Sequence, residues 1–158
     1  MEKNNLFNIY DTNKIEFKKL DEDAIYPQRG TDRSVGLDIR ALEEVLIEPG
    51  SIAIVRTGLQ AIFHSMDLEL QVRTRSGSAS RGIIVANSPG TIDPDYTGEI
   101  KVILYNTNKS NFARINKGDR IAQLVPARVY RDIIIDPTPV VISREPRTDK
   151  GFGSSGIK

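Results

Sequence analysis

Apolar residues along this chain recur at every second position far more often than at helical spacing. Leu68, Leu70 and Val72 alternate with Glu69, Gln71 and Arg73, which gives an extended strand one apolar and one polar side. Ile15 and Phe17 alternate with Glu16 and Lys18 in the same manner. Further β-branched runs occur at Ile52-Ala53-Ile54-Val55, Ile83-Ile84-Val85-Ala86, Ile100-Lys101-Val102-Ile103-Leu104-Tyr105, Ile121-Ala122-Gln123-Leu124-Val125 and Ile133-Ile134-Ile135. Turn formers separate them: Pro27, Gly30, Pro49-Gly50, Asn106-Thr107-Asn108, Lys117-Gly118-Asp119 and Pro137. No long 3.6-residue stripe is present, although Ser78 to Arg81 suffices for one helical turn. Many short strands with frequent turns predict an all-β sandwich or barrel.

One interval carries unusual chemistry. Asn87-Ser88-Pro89-Gly90-Thr91-Ile92-Asp93-Pro94-Asp95-Tyr96-Thr97-Gly98-Glu99 places turn formers, carboxylates and one tyrosine between two apolar runs. It reads as a hairpin with a rigid tip that presents an acid and a ring to a small ligand.

Composition narrows the function classes. At 158 residues the chain holds one domain with a true core, and its 39% hydrophobic and 27% charged content is that of an ordinary globular protein. With 22 basic and 21 acidic residues the formal charge is +1, and the basic residues are scattered, so neither nucleic acid nor a membrane surface is an expected partner. Zero cysteines remove disulfides and thiolate zinc sites, and a single histidine, His64, removes a multi-histidine metal centre. Met1-Glu2-Lys3-Asn4-Asn5 lacks an apolar signal core, and the expectation is a cytoplasmic protein.

Several residues have both a chemical and a plain reading. Asp93 at a fixed loop can act as a base toward water, yet Asp93-Pro94-Asp95 also simply suits a turn. A calcium loop from Asp93, Asp95 and Gly98 would need a terminal glutamate where Leu104 stands. Tyr96 is either an aromatic packed on the hairpin or a wall for a ligand. Arg75-Ser76-Gly77 follows a strand, where bare backbone and a guanidinium suit an anion, although an ordinary turn needs no more. Asp38 could hold a water of a magnesium ion, which keeps most of its waters, or be a solvated acid. Gln123 interrupts an apolar strand and alternation alone could turn it outward. Arg147 to Lys158 is rich in Gly, Ser and charge, with Phe152 its one large apolar group, and reads as a tail or a lid. It lacks the spacing of a P-loop. His64 reads as a turn residue.

Taken together, five segments resemble, in order, the motifs of the trimeric deoxyuridine triphosphatases (dUTPases). They are Val35-Gly36-Leu37-Asp38-Ile39-Arg40-Ala41, Arg73-Thr74-Arg75-Ser76-Gly77, the Asn87–Glu99 interval, Gly118-Asp119-Arg120-Ile121-Ala122-Gln123-Leu124, and Arg147 with Gly151-Phe152-Gly153-Ser154-Ser155-Gly156. The resemblance runs from about Lys14 to the C-terminus. It implies a distorted jelly roll or β-barrel over residues 1–146, with residues 1–13 as an extension and 147–158 as a flexible Gly-rich lid. It further implies a homotrimer with shared sites that hydrolyses dUTP to dUMP and pyrophosphate, supplying dUMP for dTTP synthesis and keeping uracil out of DNA. Asp93 would activate the attacking water, and Mg2+ would bridge the phosphates and meet Asp38 through water. Asn87, with backbone near Gly90, Thr91, Ile92 and Lys101, would read the uracil edge, an imide that an amide matches as donor and acceptor. Tyr96 would lie under the deoxyribose. Arg75, Ser76, Gly77 and Gln123 would meet phosphate, Arg147 would grip the γ-phosphate, Phe152 would stack on uracil, and Gly153 and Ser154 would hold phosphates.

The chain departs from the family in places. Leu37 stands where an aromatic is common, Ser80-Arg81-Gly82 replaces Lys-His-Gly in a shortened loop, and Thr148 and Lys150 replace glycines. A dCTP deaminase or bifunctional deaminase-diphosphatase on the same fold is the nearest rival. Its catalytic glutamate would sit at Ile103, in Val102-Ile103-Leu104-Tyr105-Asn106, and no acid is there. A non-catalytic regulatory binding protein is the rival from another class.

Overall fold

The period-two runs become short antiparallel strands in the computed structural model, which describes residues 14–130. In chain order these are β1 (Ile15–Lys19), β2 (Gln28–Arg29), β3 (Leu37–Arg40), β4 (Val45–Ile47), β5 (Ile52–Arg56), β6 (Leu59–Phe63) and β7 (Leu68–Arg73). The helix α1 (Ser76–Ala79) follows, then β8 (Ile83–Val85), β9 (Gly90–Ile92), β10 (Lys101–Asn106), β11 (Ala113–Ile115) and β12 (Arg120–Arg128). The run at Ile133–Ile135, the extension and the lid lie outside the described residues.

Four sheets share one core. The largest runs β2-β3-β12-β7-β9, a second runs β5-β10-β8, and β1-β6 and β4-β11 form pairs. Strands distant in sequence thus lie side by side, as in a jelly roll, and among the described residues no sheet closes on itself into a barrel. No helix among the described residues is long and apolar enough to cross a membrane.

Alternation works as read on β7, where Leu68, Leu70 and Val72 are buried and Arg73 is exposed. Ile39, Val55, Leu59, Val102, Leu104 and Leu124 complete a core sealed from solvent. A buried amide joins the layers: the Asn106 Nδ2 donates to the carbonyls of Ile47, Glu48 and Asn111 at 3.1, 3.2 and 2.9 Å. Every buried side-chain polar atom among the described residues has a partner, which keeps such a core from carrying unmet desolvation costs.

Two departures from simple alternation shape the site. On β12 the pairing with β3 slips between Arg120 and Ala122, so Ile121 and Ala122 both face inward. Gln123 then lies opposite Asp38 of β3 on one side and Arg73 of β7 on the other. Pro126 falls beyond Leu124, the last residue of β12 paired with β3, where the missing N–H interrupts no ladder on that side.

The Asn87–Glu99 interval is not a simple hairpin tip. Its flanks do pair, Val85 with Leu104 and Ile84 with Tyr105. Between them, however, Gly90–Ile92 crosses to the other sheet as β9 and pairs with β7, Ile92 opposite Leu70. The buried Gly90 and Ile92 drive this, because a solvent-exposed tip would leave that apolar surface wet.

Candidate active site

The candidate residues gather into two separate clefts. The first, of about 260 Å³, is lined by Thr91, Ile92, Asp93, Tyr96, Lys101 and Glu99, with Ile54, Ile100 and Ile103 as its apolar wall. The second, of about 410 Å³, is lined by Asp38, Arg75, Ser76, Gly77, Arg120 and Gln123, together with Gly36 and the Gly30–Val35 loop. The two linings have no residue in common.

In the first cleft the chain turns sharply after β9. The Tyr96 amide donates to the Asp93 carbonyl at 3.1 Å, which brings ring and carboxylate to the same cleft. A strand-like path through Asp95 would have separated them; the turn replaces it. Asp93 is exposed, and no hydrogen bond or ion pair to its carboxylate is made by the described residues. The dryness expected around a base is therefore not supplied by this stretch itself. Ile103 occupies the apolar wall.

Asn87 and Gly90 stand beside this cleft rather than in its lining. The amide of Asn87 lies against Gly90, where a Cβ would come within 2.8 Å of Nδ2. A larger residue there would displace the Asn87 amide. Ser88 accepts from the Thr74 amide at 3.3 Å, and Thr74 accepts from the Val85 amide at 2.8 Å, so the segment before β9 is tied to the end of β7.

Glu99, which sequence reasoning passed over, closes the floor of the first cleft. Its carboxylate accepts from Arg56 Nε at 3.2 and 3.1 Å and from the Gly58 amide at 2.8 Å. The hydrogen bond from Arg56 to Glu99, and then the opposed charge, raise the guanidinium above its ordinary pKa.

The second cleft is organised by charge. Asp38 accepts from Arg75 Nε at 2.7 Å and Nη2 at 3.4 Å, and from Arg120 Nη1 at 3.3 Å. Its side chain is 16% exposed, so both guanidinia act on a half-buried carboxylate and the trio keeps one net positive charge. Asp119, next to Arg120 in the chain, is not its partner. Instead Asp119 caps the turn at Asn116, accepting from its amide at 2.8 Å and its Nδ2 at 3.1 Å. Arg120 was therefore missed as a site residue; its place one step from Asp119 hid the cross-strand reach.

Ser76 and Gly77 open α1 beside this trio, and a Cβ at Gly77 would meet nothing within 4 Å. The packing of the chain does not require that glycine, which leaves open space at the cleft. Gln123 donates from Nε2 to the Thr74 carbonyl at 3.1 Å. Gly36 lies bare against it, and a Cβ there would stand 2.5 Å from its Oε1 and displace the amide. Among the described residues no group of three or more acids or histidines could hold a metal by itself. Asp38, already engaged by two arginines, suits a hydrated ion bound chiefly by a ligand's phosphates rather than a direct protein cage. Arg147, Phe152, Gly153 and Ser154 lie outside the described residues.

The chain is thus a jelly-roll-like β protein with an acid-and-tyrosine cleft and a cleft that holds two arginines, and comparison with known proteins places it. The dUTPase family model matches residues 22–156. A deoxyuridine 5'-triphosphate nucleotidohydrolase of Helicobacter pylori is 43% identical over 145 residues, 91% of this chain and 97% of that one. That of a Hydrogenobaculum species is 44% identical, over 92% of this chain and 99% of its own. Among solved structures, the dUTPase of Staphylococcus bacteriophage 80alpha with dUpNHpp superposes with a TM-score of 0.79 at 26% identity, covering 92% of this chain and all of that one. The chain belongs to the dUTPase family.

Proposed function

We propose that the chain hydrolyses dUTP to dUMP and pyrophosphate, with Asp93 as the base that activates water against the α-phosphorus. The observation that carries this reading is the turn that sets Asp93 and Tyr96 in one cleft. The named relatives and the phage structure with a nucleotide analogue support it. Asp93 takes the water's proton at its carboxylate, which no side chain of the described residues engages. Tyr96 underlies the deoxyribose, Asn87 reads the uracil edge, and the backbone of Gly90, Thr91 and Ile92 with Lys101 completes the base side. Arg75, Ser76, Gly77 and Gln123 receive the phosphates. Magnesium, when bound, neutralises phosphate charge and orients the triphosphate, with Asp38 meeting it through water.

The division into two clefts supports a homotrimer in which Asp93 serves the phosphate cleft of a neighbour. Ile52 and Ile54 add to this, because they stand more than half exposed on the outer face of β5, beside Tyr105 and Ile103 of β10. Ile54 and Ile103 continue into the wall of the first cleft, so a second copy seated there would also shield Asp93. We assign Arg147, Phe152, Gly153 and Ser154 to a lid over the γ-phosphate and base, and residues 1–13 to an extension. The cytoplasm is the proposed location.

Ile103 favours this reading over a dCTP deaminase, because the position that would hold a catalytic acid is a hydrophobic wall. Incubating the pure protein with magnesium and each of dUTP, dCTP, dTTP and UTP tests it. Pyrophosphate release confined to dUTP is expected, and ammonia from dCTP would overturn it.

A further inference from the structure

Behind Tyr96 lies a glycine that neither cleft includes. The ring folds back over the loop, and its hydroxyl donates to the Glu99 carbonyl at 2.9 Å. A Cβ at Gly98 would come 2.5 Å from that hydroxyl oxygen, 2.6 Å from Cζ and 3.0 Å from Cε2. Gly98 is not among the glycines with positive φ, so no left-handed strain opposes an alanine, and the three nearest atoms its Cβ would meet all belong to Tyr96. Tyr96 lines the first cleft and Gly98 does not, so an atom added at Gly98 acts on the cleft through the ring.

The frame beneath the ring is held from the opposite side. Glu99 is fixed by Arg56 and the Gly58 amide, and the Thr97 carbonyl accepts from Gln60 Nε2 at 2.6 Å. The β5–β6 connection thus grips residues on both sides of Gly98. When an added methyl group demands space, the ring is the part that gives.

We propose that Gly98 is a positioning residue that sets the height of the Tyr96 ring, and with it the depth of the sugar side of the cleft, on a platform anchored by Glu99 and Arg56. The inference rests on the reading that Tyr96 faces the deoxyribose. An alanine displaces the ring by about 1 Å to reach ordinary van der Waals distance, and because the ring is part of the cleft wall the wall moves with it. The hydroxyl then loses the Glu99 carbonyl. Asp93 is untouched, so substrate fit changes while the chemical step does not.

The test is a double-mutant cycle on the full chain, with kcat and KM measured for dUTP and UTP and the melting temperature recorded. Gly98→Ala is expected to raise KM for dUTP roughly tenfold with kcat retained. In a Tyr96→Ala background, Gly98→Ala should change neither KM nor the UTP-to-dUTP ratio, because no ring remains to be displaced. A role in the backbone alone would show in both backgrounds and would overturn the proposal, as would an unchanged KM in the single variant. Should Gly98→Ala fail to fold, folding restored by Tyr96→Ala supports the proposal and continued failure overturns it. If Tyr96→Ala does not raise UTP use relative to dUTP, the sugar-facing reading falls and takes this inference with it. If it does while Gly98→Ala is silent, the inference alone fails.

Discussion

The two clefts place their carboxylates in opposite circumstances. Asp93 is exposed, and no side chain among the described residues engages it, while backbone turns fix its position. Asp38 is half buried and tied by two arginines. A group that must take a proton needs a lone pair left free to reach the attacking water. A group that arranges charge works best when its own charge is already matched. The difference explains how one small domain can hold both without a cluster of acids.

That contrast can be broken experimentally. Asp93→Asn keeps shape and removes the base, so turnover should fall by roughly 10²–10⁴ while a non-hydrolysable dUTP analogue still binds, measured by single-turnover hydrolysis and calorimetry. Turnover close to the unaltered enzyme would remove Asp93 from the chemistry and erase the division of labour.

Truncation after Glu145 comes next in size. It removes Arg147 and Phe152 but neither cleft, and turnover should drop by about 10²-fold as positioning and phosphate neutralisation are lost. Melting temperature and subunit assembly should remain close to those of the full chain. Dissociation to monomers would make the tail a strap between subunits instead of a lid.

Within the charged cleft, Gly36→Ala should force Gln123 off the Thr74 carbonyl and weaken catalysis about tenfold, with Asp38 and its arginines in place. Equal losses of activity and thermal stability would mean that Gly36 serves packing and not the cleft.

The smallest effect concerns neither cleft and calibrates the others. Asp23 is held below its ordinary pKa first by the hydrogen bond from Lys117 and then by that residue's charge. A depressed folded-state pKa stabilises the fold above the unfolded value, and this contribution fades as pH falls through the folded one. In Asp23→Asn the melting temperature should fall slightly near neutral pH and converge on that of the unaltered protein at acid pH, flattening the acid limb, with no change in turnover. A large drop at neutral pH would show that this exposed pair carries more than its solvent screening allows, and a loss that persists at acid pH would show that the charge is not its source.

Much of the site was legible before any coordinates. Asp38, Arg75, Ser76, Gly77 and Gln123 line one cleft and Thr91, Ile92, Asp93, Tyr96 and Lys101 the other, while Asn87 and Gly90 line neither and the fifth motif lies outside the described residues. Arg120 and Glu99 were not legible. Each takes its meaning from a partner far along the chain, Asp38 in one case and Arg56 in the other, and no local spacing announces such pairs.

The sequence by itself determined the strands β1, β5, β7, β8, β10 and β12, because alternation and β-branching act between neighbours, and it determined the family, because the motifs keep their order. Tertiary structure decided the crossing of Gly90–Ile92 into a second sheet, the slip at Ile121 that sets Gln123 opposite Asp38, and the separation of the acid from the arginines. These depend on which distant surfaces meet, and burial of apolar area is a property of the assembled layers, not of any one segment.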